Sequence, residues 1–452
     1  MRPTLQLAIT VGVVVLYSVP KESLQQQLNN STEVLRAATI IFRHGERNPI
    51  KSYPGDPYEF ETVFWPEGYG AMTMPGKVRM YNLGWYMRKR YPTFQRKNVV
   101  VYSSASNRTI TSAMANLAGF YGQNRSFLRH IDSYNPKGLG INIIPKLDDD
   151  FIMMEADLYC PRYTQLRQRH LHETRPMEKY KDALEIINKY TGLNFSTYNI
   201  DIMIFADTII IQKSKGLTLP DWIQNLYDDD LFFELRDEYF LNIMPTLELK
   251  RLRSGGMLKR FLDEMDLVVD DVEHYQNLQE GRAVSSQLDF PRTMVVSGHD
   301  STIATWMIDL EIFDWENIPY GAAIFVELYE VGTKLNKTVF IIKMFYKNDA
   351  EREPIQMTLP GCPNPCYYSN FKKMLQPLVL HNRKEECRIS NLDVDNETLK
   401  SYETSAPTVF DDSVPTKNVL SNAYELTYSK SVMLYCVFYM VVPALLYHLN
   451  LD

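Results

Sequence analysis

Several classes of protein are excluded by what this sequence lacks. Its formal net charge is −7, so it has no excess of basic residues with which to bind a nucleic acid. It has neither a P-loop, which would cradle nucleotide phosphates, nor the Gly-x-Ser-x-Gly turn of a serine hydrolase. It also has no internal repeat. The sequence therefore indicates an ordinary globular chain whose chemistry depends on other residues.

Metal ligands are also scarce. There are eight His residues, and the pair His170 and His172 is not accompanied by Cys or carboxylate residues at metal-binding spacing. A solvated helix or loop is the simpler interpretation of that pair. The acidic runs at residues 148–150 and 228–230 are typical of solvated loops or helix starts. We therefore expect no bound metal and no cofactor.

Cysteine is rare and odd in number, with five residues in the chain. Cys436 lies in a C-terminal apolar stretch, which leaves four for pairing. Cys362 and Cys366 could close a tight loop in "GCPNPC", and Cys160 and Cys387 would then pair over a long range. The sequence alone leaves this connectivity open.

The first residues resemble a secretory signal. Arg2 precedes an apolar stretch at residues 5–16, and small or polar residues follow near Ser18. A signal peptide over residues 1–20 is predicted, and a buried first helix is the alternative. Five Asn-x-Ser/Thr sites, which we predict to be glycosylated, are consistent with export. They are Asn30, Asn124, Asn194, Asn336 and Asn396. We therefore expect the secretory pathway, with an extracellular, cell-surface or lysosomal destination.

The C-terminus predicts attachment to a membrane. Residues 391–431 are polar and resemble a stalk, and an apolar segment follows at residues 432–449. Its continuous apolar core spans roughly 24 Å as a helix, short of a bilayer core of about 30 Å. Small residues at 421–423 followed by a polar spacer favour a glycolipid-anchor signal. A short transmembrane helix and a buried helix remain alternatives.

The sequence predicts an α/β fold. Three apolar, β-branched runs, "AATIIFR", "NVVVYSS" and "TMVVSG", indicate buried strands, and the second and third lead into helical patterns. This order predicts a mostly parallel sheet flanked by helices, with its ligand crevice at the carboxyl ends of the strands. Five polar residues fall at such ends, namely Arg43, His44, Arg108, His299 and Asp300.

A second region interrupts the sheet. Residues 135–285 read mostly as helices, which predicts an inserted helical cap domain beside a catalytic α/β domain formed by residues 33–134 and 286–390. After the insertion, "AAIFVELYE" and "TVFIIKMFYKN" alternate in a way typical of a hairpin at the sheet edge.

The clustered residues suit the hydrolysis of a phosphate monoester. Arg43, Arg47 and Arg108 offer planar, permanently charged donors that bind phosphate oxygens in pairs. A neutral His44 can attack the phosphorus and form a phosphohistidine. Gly45 after it fits a sharp turn or a close approach of the backbone to the ligand. A surface pair is the alternative for Arg43 and His44, and a surface cation at a helix start is the alternative for Arg108.

The departing alcohol needs a proton. Asp300 is the candidate acid, which predicts an acidic pH optimum, and a protonated His299 would donate to a phosphoryl oxygen. A helix N-cap is the alternative role of Asp300.

"RHGERNP" resembles the motif of the histidine acid phosphatase family, in the animal branch with the prostatic, lysosomal and insect venom-type enzymes. "VYSSASNRTITSAMANLAGFY", "VVSGHDSTI" and "GCPNPC" extend the similarity over about residues 35–390. The resemblance implies a two-domain fold, no metal, and pairing of both Cys couples. It assigns His44 as nucleophile and Asp300 as proton donor, with Arg43, Arg47, Arg108 and His299 binding phosphate. Glu46 and Met80 depart from residues common in relatives.

These observations predict a secreted or surface-anchored acid phosphatase for small phosphate monoesters or phosphoproteins. A narrower phosphatase for lysophospholipid or inositol phosphates is a second hypothesis. A catalytically retired binding protein on the same scaffold is a third. A homodimer is possible, because relatives form dimers.

Overall fold

A computed structural model of the chain describes residues 33–144, 160–195, 200–279, 292–314, 317–332, 338–348 and 352–389. The chain divides into two compact units, Met1–Asn391 and Leu392–Asp452, and the described residues all lie in the first. The predicted signal peptide, polar stalk and C-terminal apolar segment fall outside these ranges. Within them, no helix is both long and apolar enough to cross a membrane.

One mixed sheet organises the described part of the chain, with the strand order β3-β2-β4-β1-β5-β6-β7 and β8 paired to β6. Strands β3, β2, β4 and β1 pair in parallel, and the later strands pair antiparallel. The strands are β1 (Glu33–Arg43), β2 (Val99–Ser104), β3 (Ile141–Ile144), β4 (Arg292–Gly298), β5 (Ala323–Gly332), β6 (Thr338–Lys347), β7 (Ile355–Met357) and β8 (Cys366–Tyr367).

Helices cover the sheet and fill the region between β3 and β4. They are α1 (Glu61–Phe64), α2 (Met74–Arg90), α3 (Asn107–Phe120), α4 (Pro161–Thr174), α5 (Lys181–Thr191), α6 (Ile200–Ser214), α7 (Asp221–Asp228), α8 (Leu231–Ile243), α9 (Leu247–Gln279), α10 (Asp300–Asp309), α11 (Tyr368–Leu375) and α12 (Arg383–Glu386).

The register of the central strands brings distant parts of the sequence together. Strand β1 is buried from Ala37 to its end, and it pairs in parallel with β4 so that Arg43 lies opposite Gly298. Parallel strands end at the same edge of a sheet, so the residues that follow β1 and β4 become neighbours. His44 and His299 therefore leave the sheet side by side.

The predicted fold class is confirmed, including the helices on the sheet and the antiparallel pair β5 and β6. The predicted position of this pair at the sheet edge is wrong, because β6 pairs further with β7 and β8. Helices α4 to α9 form what we call the helical insertion, because they lie between β3 and β4 in the chain. It has its own apolar cluster, which contains Ile209 and Phe232 and also Tyr53 from the segment after β1. The exact domain boundaries at residues 135 and 285 stay a prediction.

Both predicted cysteine pairs are present as disulfides. Cys160 is bonded to Cys387, which closes a sequence separation of 227 residues, and Cys362 is bonded to Cys366. The long-range bond ties the start of α4 in the helical insertion to the residue after α12. Cys436 lies outside the described residues.

One buried carboxyl should contribute to the stability of the fold in mild acid and lose that contribution towards neutral pH. Asp309 ends α10, and burial raises its pKa to about 7 although Ser254, Lys250 and Arg253 act in the opposite direction. The folded state therefore holds this proton when the unfolded chain has lost it. The contribution of Asp309 to the free energy of unfolding should fall by on the order of a few kcal/mol as pH rises from about 4 to about 7. The buried His44 and His299, whose pKa values are lowered, act in the opposite direction, so the contribution of Asp309 is the difference between the parental chain and an Asp309 variant.

Denaturant unfolding of the full chain at about pH 5 and about pH 7.5 measures this dependence. Asp309→Asn should remove the contribution of Asp309 to it. Asp263→Asn is the matched control, because that side chain is 54% exposed and pairs with Lys259. An unchanged pH dependence in the Asp309 variant would contradict the assignment.

Candidate active site

His44 lies at the carboxyl edge of the sheet, fixed by its backbone from two sides. Its N–H donates to Gly298 O at 3.0 Å, and its carbonyl accepts from Gly321 N at 3.1 Å. The side chain is 98% buried, with 2% of its surface exposed. The rings of His44 and His299 meet edge to face, with centroids 5.4 Å apart. These strand-end bonds fix the backbone of His44 at the edge of the sheet.

The surroundings of His44 favour a neutral ring with a defined tautomer. Burial, followed by the charges of Arg108, Arg43 and Arg47, holds the pKa of His44 well below its usual range. Nδ1 lies 2.8 Å from Gly45 O, an acceptor, so Nδ1 carries the proton. The lone pair is then on Nε2, which is the arrangement a nucleophilic imidazole needs.

Arg43 ends β1, and three contacts hold its guanidinium group in place. Nη2 pairs with Asp300 Oδ2 at 2.8 Å, and Nη1 donates to Ile318 O. The plane lies over the ring of Tyr320, with Cζ 4.1 Å from the ring centroid. Nε is buried and has no hydrogen-bond partner among the described residues. The cation is thus oriented, and a buried donor remains available to an anion.

Arg47 is held by the helical insertion. Its Nη1 donates to Asp207 Oδ2 on α6 at 2.9 Å, and only 5% of the residue is exposed. Burial opposes the charge, but Asp207 raises the pKa of Arg47 above its usual range, so the guanidinium stays charged. Helix α6 therefore fixes a cation that belongs to the loop after β1.

Arg108 approaches the same point from the first turn of α3. Its positive charge lowers the pKa values of both His44 and His299. Ser112, one turn later, donates to Arg108 O at 2.7 Å and accepts from Gly45 N at 3.0 Å. Helix α3 is thereby attached to the loop that carries His44.

Gly45 permits a close contact between that loop and α2. A Cβ at position 45 would lie 2.5 Å from Gly76 O, which is closer than real Cβ contacts. The close approach that Gly45 permits is therefore made to a helix of the same chain, and the predicted approach of the backbone to a ligand stays a prediction.

His299 follows β4 and is buried, with Nε2 2.9 Å from Ser104 Oγ at the end of β2. Burial and Arg108 lower the pKa of His299 well below its usual range, more than Asp300 raises it. These surroundings disfavour the protonated His299 that the sequence predicts, and its protonation beside a bound anion stays a prediction. Its surroundings favour the neutral ring, which donates through one nitrogen only.

Asp300 is the first residue of α10. Its Oδ1 accepts from Ser301 N at 2.7 Å, and its Oδ2 pairs with Arg43. Burial raises the pKa of Asp300, but the charges of Arg43 and Arg47 and the hydrogen bond from Ser301 N outweigh burial and lower the pKa below its usual value. Its side chain keeps 33% exposure, so it can reach a bound molecule. A negative ligand beside the arginines would oppose this lowering.

The structure brings together all six residues that the sequence predicts, together with two that it did not predict. Asp207 and Tyr320 lie in parts of the chain with no motif of their own. The dipeptide "PY" before β5 and an acidic residue on a helical pattern are too common to be signals.

Two residues depart from those common in relatives, Glu46 and Met80. Glu46 pairs with Lys215, the residue after α6, and Met80 is fully buried.

The other predicted residues lie away from this site. His170 contacts Asn242 Oδ1 at 3.2 Å, and no group of three or more metal-ligand side chains is found within the described ranges. Asn124 and Asn194 are exposed, which is compatible with glycosylation. Asn30, Asn336 and Asn396 fall outside those ranges, so glycosylation stays a prediction.

The sequence matches the model of the histidine phosphatase superfamily (branch 2) over residues 34–347. Curated relatives include lysosomal acid phosphatase of Rattus norvegicus, 29% identical over 384 residues that cover 81% of this chain and 83% of that protein. Prostatic acid phosphatase of Bos taurus is 26% identical over 375 residues, covering 79% of this chain and 88% of that protein.

Solved structures with the same fold include two bacterial phytases. The Hafnia alvei enzyme in complex with myo-inositol hexakis sulphate has a TM-score of 0.53 and 16% identity, covering 79% of this chain and 99% of that chain. The Citrobacter braakii phytase has a TM-score of 0.51 and 16% identity, covering 79% of this chain and 100% of that chain. At this identity the likeness concerns the fold alone.

Proposed function

The chain belongs to the histidine phosphatase superfamily, branch 2, and on that premise we propose that it is an acid phosphatase acting through a phosphohistidine on His44. One observation carries the proposal. His44 presents a neutral Nε2 among Arg43, Arg47 and Arg108, because Nδ1 is engaged by Gly45 O. A cluster of fixed cations around an uncharged nucleophile suits a substrate that is itself an anion.

The first half-reaction transfers the phosphoryl group to the enzyme. The lone pair of His44 Nε2 attacks phosphorus in line, and the bond between phosphorus and the ester oxygen breaks. The leaving oxygen takes the bonding electrons and receives a proton from Asp300. Arg43, Arg47, Arg108 and His299 donate to the phosphoryl oxygens, where charge accumulates.

The second half-reaction releases phosphate. A water molecule attacks the phosphohistidine and gives its proton to the Asp300 carboxylate, which now acts as a base. The bond between nitrogen and phosphorus breaks, and its electrons return to Nε2. Inorganic phosphate leaves, and both residues are in their starting protonation states.

The relatives support the class of substrate and the cellular route. Proteins named lysosomal and prostatic acid phosphatase are similar over most of this chain, which supports small phosphate monoesters as substrates and passage through the secretory pathway. The membrane anchor and the homodimer stay predictions from the sequence, as does any preference for lysophospholipid, inositol phosphate or phosphoprotein substrates.

We expect hydrolysis of an alkyl phosphate, whose leaving alkoxide requires a proton, to be fastest in acid and to decline towards neutral pH. The pKa of His44 is lowered, so the nucleophile stays neutral in mild acid, whereas Asp300 must keep a proton that its arginine neighbours disfavour. Activity should therefore fall as rising pH removes that proton.

The test is the rate of the full chain from about pH 4 to about pH 8, with and without a chelator. An acid optimum that is indifferent to the chelator would support the proposal. A folded, secreted chain without turnover on any simple ester would contradict it and favour the binding-protein hypothesis.

A further inference from the structure

The turn before β5 is attached directly to the residues at the end of β1. Arg43 N donates to Ala322 O at 2.9 Å, and Gly321 N donates to His44 O at 3.1 Å. The Arg43 side chain also donates to Ile318 O, 275 residues later in the chain. These three bonds give the turn a fixed position relative to the candidate nucleophile and its neighbouring cation.

Tyr320 lies at the centre of this turn and presents its ring to Arg43. The guanidinium carbon is 4.1 Å from the ring centroid, which is a close cation–π contact. The same ring lies 5.8 Å from the ring of His44, tilted by 38°. Its carbonyl accepts from Arg79 Nη1 at 2.8 Å, which holds the residue from the opposite side.

The charges around Tyr320 are those of the site itself. Burial raises the pKa of Tyr320. The negative charges of Asp207 and Asp300 also raise it, whereas the positive charges of Arg47 and Arg43 lower it. The phenol thus lies among the residues that the proposed reaction uses. Its ring contacts are made to Arg43 and His44, two residues of the candidate site.

The Tyr320 ring also affects the orientation of Arg43 in its ion pair with Asp300. An arginine side chain rotates freely about several bonds. The contacts of Arg43 to Ile318 O and Asp300 are made at the edge of its guanidinium group and do not cover the face that lies towards Tyr320. The Tyr320 ring covers that face. Without it, the guanidinium could turn away from both the phosphate position and Asp300.

We infer that Tyr320 is a positioning residue of the phosphatase reaction, whose aromatic ring holds the Arg43 guanidinium in the plane that serves both the substrate phosphate and Asp300. This inference rests on the proposed function. The hydroxyl is not required for it, so the aromatic face and the hydroxyl are separable by substitution.

The experiment compares Tyr320→Phe, which keeps the ring, with Tyr320→Leu, which removes it. In the full chain, the dissociation constant of inorganic phosphate, measured by calorimetry, should rise about tenfold in the Leu variant, or about 1.4 kcal/mol. KM should rise with it. The descending limb of kcat/KM should move to higher pH, because Asp300 loses a fixed cation. The Phe variant should resemble the parent chain in all three.

Tyr121→Leu is the matched control, because Tyr121 also has an arginine over its ring, with Arg96 Cζ 5.6 Å from the ring centroid. Tyr121 follows the last residue of α3, whereas Arg108 lies in the first turn of that helix. It should leave phosphate affinity and the pH profile unchanged. If the Leu variant is not secreted, Tyr320→Met provides the same comparison with an unbranched apolar side chain.

A Leu variant with parental phosphate affinity and an unshifted pH limb would overturn the inference, and so would a Phe variant as impaired as the Leu variant. A parental chain without turnover would count against the proposed function instead, and the calorimetric comparison would still decide whether the ring orients Arg43.

Discussion

Replacing His44 by alanine should reduce the hydrolysis of a phosphate monoester by on the order of 10⁴-fold or more, because the proposed covalent intermediate cannot form. The substitution leaves the three arginines in place, so phosphate binding should persist. Rapid mixing of the parental chain with a radiolabelled ester, followed by an alkaline quench, should trap label on the protein. The alanine variant should trap none.

His172→Ala is the control for this comparison. That histidine is exposed on α4, and its replacement should leave both turnover and labelling intact. Substantial turnover in the His44 variant, or label that persists on it, would contradict the nucleophile assignment. Loss of phosphate binding as well would indicate a disturbed fold rather than a missing nucleophile.

Replacing Asp300 by asparagine should lower kcat by about 10²- to 10⁴-fold, and by more for an alkyl phosphate than for a nitrophenyl phosphate. The reason is the leaving group. A nitrophenolate departs without a proton, whereas an alkoxide requires one. Steady-state rates of both esters, measured at the optimum pH of the parental chain, give the ratio that reports proton donation.

Asparagine keeps the size of the side chain and an oxygen that can accept from Ser301 N, so it disturbs the start of α10 little. It also removes the charge partner of Arg43. An equal loss for the two esters would mean that Asp300 acts by orienting Arg43 and not as the proton donor. The inference about Tyr320 would survive that result, because it concerns Arg43.

The arginines lower the pKa values of both proposed reacting groups, which favours the role of one and opposes the role of the other. Their charges lower the pKa of His44, which keeps the nucleophile available in acid, and they also lower the pKa of Asp300, which removes the proton that the leaving group needs. A bound phosphate dianion offsets their charge and raises the pKa of Asp300 again. Proton donation is thereby tied to the presence of substrate.

The sequence by itself determined much of this protein, because the decisive signals are local. Apolar β-branched runs identify the buried strands β1, β2 and β4, and each prediction depends on a few consecutive residues. Arg43 and His44 come directly after one such strand, and His299 and Asp300 after another. The rule that parallel strands share a carboxyl edge then suffices to bring them together.

Only the tertiary structure decided how those residues are held. Asp207 reaches Arg47 across 160 residues, and Ile318 reaches Arg43 across 275, from segments whose own sequence carries no motif. It also decided that His299 is surrounded by groups that favour its neutral form, because burial is a property of the packed chain. Contacts between distant segments, and the solvation they remove, depend on the whole fold, and no local pattern of residues records them.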